Sequence, residues 1–70
     1  MNNILLTFHS LPYISSFIAA LSAYNYHVHL QLYTDQPMQV IVSVPTELTY
    51  TIKRMAAQQG ATKIEDIPNA

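Results

Sequence analysis

Three histidines are the first residues whose type suggests chemistry: His9 and the pair His27 and His29. The spacing His-x-His is what a strand uses to send two imidazoles to one side, because strand side chains alternate with period two. Two neutral imidazoles on one side could hold a divalent metal such as zinc, so His27 and His29 are the candidate metal ligands. Third and fourth ligands are not evident from the sequence. The chain has no cysteine, which removes thiolate ligands, thiol nucleophiles and disulfides together. The plainer reading of the pair is two histidines on the polar or interfacial side of a strand. Imidazole titrates near neutrality, so at an interface they would make association pH-sensitive.

Other catalytic arrangements are missing. His9 and Ser10 are neighbours, which sends their side chains to opposite faces of a strand. Glu65 and Asp66 are adjacent and fit edge-strand protection better than a carboxylate pair. One glycine, Gly60, leaves no phosphate-cradling loop. The expectation is a protein with no catalytic residues and no cofactor.

The elements that would position these side chains follow from periodicity. Asn3–His9 alternates, with Ile4, Leu6 and Phe8 on one side, and predicts a first strand. Ser10 is placed to cap a helix over Leu11–Tyr24, with Pro12 in its first turn. Ile14, Phe17, Ile18 and Leu21 recur at the spacing of an apolar helical stripe, and Asn25 suits the left-handed residue that stops the helix. Tyr26–Tyr33 alternates cleanly: Tyr26, Val28, Leu30 and Leu32 on one face, His27, His29, Gln31 and Tyr33 on the other. Residues Thr34, Asp35, Gln36 and Pro37 are turn formers, and Met38–Val44 alternates again, so a hairpin is expected. After Pro45, Thr46 is a candidate cap for a second helix whose apolar face is Leu48, Ile52, Met55 and Ala56; Gly60 stands where a helix-ending glycine belongs. Thr62–Ile67 predicts a short last strand. Residues 1–70 form one domain, with no repeat and no linker.

Composition narrows the classes further. The chain is 50% hydrophobic and 10% charged with a net charge of −1, which excludes disorder and disfavours phosphate binding. All seven charged side chains follow residue 34: Asp35, Glu47, Lys53, Arg54, Lys63, Glu65 and Asp66. The apolar stretch from Ile4 to Tyr24 has the length of a membrane span, but His9, Ser10 and Pro12 interrupt it and no basic residue precedes Lys53, which argues against both insertion and export. The first helix carries Ser15, Ser16, Ala19, Ser22 and Ala23 away from its apolar stripe, where a solvent-facing helix normally carries Lys, Glu or Arg. That small, uncharged side suggests contact with a second chain.

The order strand, helix, strand, strand, helix, strand predicts an α+β ferredoxin-like βαββαβ sandwich, with two helices on one face of a four-stranded antiparallel sheet. In topology and size the whole chain resembles small regulatory domains of the ACT type. That family's acidic-residue-then-glycine turn after the first strand is replaced here by His9, Ser10, Leu11 and Pro12, so the resemblance implies the fold and carries no ligand residues. Heavy-metal-associated domains share the topology but use paired cysteines, and RNA-recognition domains use a basic-aromatic signature absent here.

The expected function is therefore a small non-enzymatic, cytoplasmic protein-interaction module, a regulator, adaptor or inhibitor. Its partner would be protein, a second copy or a larger chain, and neither nucleic acid nor membrane. The expected interface residues are Ser15, Ala19, Ser22, Ala23, His27, His29, Gln31, Tyr33 and Ile41. The alternative is an ACT-like small-ligand sensor or a His-mediated metal sensor.

Overall fold

Alternating apolar residues build the centre of the sheet. The structure is a computed structural model that describes residues 2–26, 28–33 and 38–67. Strand β1 (Asn2–Phe8) pairs antiparallel with β3 (Met38–Val44), setting Ile4 beside Val42 and Leu6 beside Val40. Partners in an antiparallel ladder point to the same side. Ile4, Leu6, Phe8, Val40, Val42 and Val44 consequently form one buried apolar surface. Strand β2 (His29–Tyr33) joins the outer side of β3, and β4 (Ala61–Ile67) joins the outer side of β1. The sheet order is β2-β3-β1-β4 with every neighbour antiparallel, the expected α+β ferredoxin-like sandwich.

Two helices cover the apolar surface. Helix α1 (Leu11–Ala23) buries Ile14, Phe17 and Leu21, and Phe17 meets Phe8 with ring centroids 5.6 Å apart. Helix α2 (Thr49–Gln58) buries Ile52, Met55 and Ala56. No polar or charged residue is buried among the described residues, and none of their buried side-chain N or O atoms lacks a partner. Among the described side chains, the interior is therefore held by apolar burial.

The helix ends obey local chemistry. Asn25 adopts φ +58°, the amide of Tyr26 donates to the Leu21 carbonyl at 2.9 Å, and that of Asn25 to Ser22 at 3.0 Å. This is the pairing of a Schellman motif, which satisfies the last carbonyls of α1. Gly60 ends α2 at φ +94°, and the Tyr13 ring of α1 lies over it: a Cβ there would sit 2.8 Å from Tyr13 Cδ1. Gly60 thus serves both a left-handed turn and a helix-to-turn contact.

Several expectations need correction. The first strand ends at Phe8, and His9, expected as its last residue, falls in an exposed bend. Ser10 occupies the cap position in extended backbone, but its hydroxyl makes no capping bond. Thr46 opens a single 3₁₀ turn (Thr46–Leu48) without side-chain capping, and α2 starts three residues later; Thr49 there accepts a hydrogen bond from Asn2 Nδ2 at 2.9 Å. The ladder of β2 begins at His29 and not at Tyr26, because the Schellman turn draws Tyr26 toward the end of α1. The last strand is one residue longer than expected and starts at Ala61. Helix one ends one residue early, and the expected turn over residues 34–37 lies outside the described residues.

Two stability measurements test this packing. Leu6→Ala should cost about 2–5 kcal/mol in urea unfolding, a large part of the roughly 4–10 kcal/mol available to a chain this size. Gly60→Ala should cost about 1–2 kcal/mol for the backbone alone, and adding Tyr13→Ala should recover only the steric part above that. Equal stability of Gly60→Ala and the wild type would show that neither constraint operates.

Candidate functional site

The outer strand β2 and the flank of α1 beside it leave apolar side chains on the helix side only partly covered. The β2–β3 register sets Leu30 beside Val42 and Leu32 beside Val40, which sends both leucines to the helix side. Ile4, Leu6 and Phe8 of β1 and Val40, Val42 and Val44 of β3 are buried, but Leu30 is only half-buried and Leu32 is 45% exposed. Ile18 of α1 was expected in the buried stripe and is 38% exposed. It lies on the edge of the apolar arc centred on Ile14, Phe17 and Leu21, so it overhangs the sheet.

Ile18 and Leu30 face a common groove. It holds about 500 Å³ and is lined by Ile18, Leu21, Ser22, Tyr26, Val28 and His29 among others. The C-terminal end of α1 forms one wall and the start of β2 the other. Leu32 lies further along β2, past the groove. A second cleft of about 230 Å³ runs between the helices, where Tyr24, Tyr26 and Ala20 meet Arg54, Met55 and Gln58. Tyr24 and Tyr26 stack at its mouth with centroids 6.0 Å apart.

The opposite sheet face carries His29, Ser43 and Asn3 in one cross-strand row and Gln31, Ile41 and Leu5 in the next. Ser43 Oγ donates to Asn3 Oδ1 at 2.7 Å, so these two polar groups satisfy each other. Tyr33, Gln39 and Thr7 form a third row.

Charge is segregated in space as it is in sequence. Among the described residues, all six charged side chains lie on β4, α2 and the turn that leads into α2. Lys53 of α2 meets Asp66 of β4 at 2.8 Å, and Lys63 meets Glu65 along β4 at 2.9 Å. The hydrogen bond and charge of Glu65 hold the Lys63 ammonium above its ordinary range. Both pairs are exposed enough for solvent to screen most of their attraction. Strands β1, β2 and β3 and helix α1 carry no charged side chain.

The expected interface residues do not make one surface. Ser15, Ala19, Ser22 and Ala23 are exposed on α1. His29, Gln31 and Tyr33 are exposed on the opposite, open side of the sheet, with Ile41 half-buried among them. The two sets meet only along the outer edge of β2, where Ser22 and His29 line the groove together. His27 lies outside the described residues, and no cluster of three or more metal-ligating side chains occurs among those described. The sequence pattern places the groove residues Ile18 and Leu30, and Leu32 beyond them, on apolar faces that are expected to be covered. The available signal was topological: in this strand order the second strand is an edge, and an edge strand has no neighbour to complete its cover.

None of the helices among the described residues is long and apolar enough to cross a membrane. No family model, curated protein or solved structure gives a significant match to the chain.

The difference between core and flank can be measured. Leu32→Ala should cost about 1 kcal/mol or less in dilute protein, where the half-exposed side chain loses little burial. A loss as large as that of Leu6→Ala would mean that Leu32 is buried in the isolated chain.

Proposed function

We propose that the protein is a small non-enzymatic interaction module, a regulator, adaptor or inhibitor, that acts in the cytoplasm by binding a second copy or a larger protein. The observation that carries this reading is β2: an uncharged edge strand, exposed at four of its five residues, beside a groove lined in part by apolar side chains. Edge strands offer unpaired N–H and C=O groups to another chain. The neighbouring α1 surface adds Ser15, Ala19 and Ser22, which are small enough to let a partner backbone approach. A nucleic-acid partner has little to attract it, since the cations are three and two of them face carboxylates.

Charge insertion tests the reading. Ala19→Glu and Ile41→Glu should weaken association more than they lower the unfolding midpoint of dilute protein. A photo-crosslinker carried at Ser22 should join the protein to a second polypeptide at working concentration. The reading fails if the wild-type chain stays at 7.9 kDa at high concentration and the Ser22 probe links to nothing in its native extract.

A second reading rests on the groove volume, which falls within the ~300–1,000 Å³ range of small-ligand sites. A ligand that binds only the folded chain raises its stability by RT ln(1 + [L]/Kd). In the metal version, zinc, nickel or copper should raise the melting temperature and His27→Ala with His29→Ala should abolish the rise. Identical melts with and without each metal would remove that version.

A further inference from the structure

The two edges of the sheet are treated in opposite ways. Edge β4 carries Lys63, Glu65 and Asp66 and breaks register with β1 between Thr7 and Phe8. Charges and register breaks are the devices that stop an edge from recruiting another strand. Edge β2 reads His29, Leu30, Gln31, Leu32, Tyr33: it has no Lys, Arg, Asp, Glu, Pro or Gly, and its five residues pair with β3 in unbroken register.

We infer that two copies of the chain pair antiparallel through β2, about a two-fold axis at Gln31, into a continuous eight-stranded sheet. This rests on the interaction-module reading and names its partner. The sequence of β2 is complementary to itself in that register. Gln31 faces Gln31 of the second copy, Leu30 faces its Leu32, and His29 faces its Tyr33. No charged pair is brought together at any of these positions. On the helix side, Leu30 and Leu32 of both copies form one four-leucine patch that continues into Ile18 and the groove on either side. Leu32, which α1 leaves 45% exposed, gains apolar cover there. The two α1 helices flank the axis with Ser15, Ala19 and Ser22, uncharged and small, so nothing bulky or charged opposes the approach.

The size of this surface sets its strength. Ordinary stable interfaces bury about 800 Å² and roughly 20–30 residues on each side. Five strand residues with Ile18 and the outer residues of α1 amount to about half of that. The pair is accordingly a reversible dimer with a dissociation constant in the micromolar range, the low end of specific association.

Because the natural sequence has no cysteine, single-cysteine variants read the register directly. Opposed residues in an antiparallel pair have Cα atoms about 4.5–5.5 Å apart, inside the span a disulfide requires. Gln31→Cys should give a covalent dimer on mild oxidation. His29→Cys and Tyr33→Cys should each fail alone, since each lies about 14 Å from its own copy at ~3.4 Å per residue, and should cross-link when mixed. Sedimentation of the wild-type chain should show a mass rising toward two chains between micromolar and millimolar concentration, and Leu32→Glu should hold it at one. A strict monomer overturns the inference, and so does a dimer in which Gln31→Cys links no faster than Ser16→Cys on the far side of α1. In either case a Ser22 cross-link to a different protein would leave the docking function standing, so the two failures are distinct.

Discussion

The antiparallel ladder between β1 and β3 joins the middle of the chain to its first residues and puts their apolar side chains on one side. Ile4 beside Val42 and Leu6 beside Val40 make the floor on which everything else rests. A one-residue slip in that register would turn each of these side chains to the other face and leave both helices with nothing to cover. Burial supplies the driving force, since no buried ion pair or polar network contributes among the described residues. The helices are amphipathic responses to that floor: α1 adds Ile14, Phe17 and Leu21, and α2 adds Ile52, Met55 and Ala56.

The floor is wider than its cover. On the β4 side α2 lies close enough for Lys53 to reach Asp66, and that edge closes with charge. On the β2 side α1 meets only the start of the strand, so Leu32 and Ile18 keep much of their surface in water. A small domain buries a modest share of its apolar surface in any case. Part of that shortfall falls on one uncharged flank, where Ile18 and Leu32 stand exposed, while Leu11, Tyr13, Tyr24 and Tyr50 are exposed elsewhere. Neutral and bounded by an unpaired strand, that flank is the surface on which the proposed pairing rests.

The sequence was most legible where the pattern is local. Alternation located β1, β3 and the second half of the Tyr26–Tyr33 run, and Asn25 and Gly60 marked both helix ends for the reason the structure gives, a positive φ at each. It was least legible where a tertiary turn competes with a strand. Tyr26 and Val28 continue the alternation perfectly, yet both precede the ladder, and the Tyr26 amide is taken by the Leu21 carbonyl at the α1 exit. Ser10 and Thr46 carry the right side chains for capping and make no capping bond, which shows that residue type grants the capacity and the chain path decides its use.

The sequence by itself determined the order of elements, the apolar faces of the inner strands and the ion-free first half, since each is a property of spacing or composition along the chain. Only the tertiary structure decided that Ile18 and Leu32 stand in water, that the expected contact residues split between opposite sides of the sheet, and that they meet at β2. Those outcomes depend on which helix lies over which strand, and that is set by packing between residues far apart in the chain.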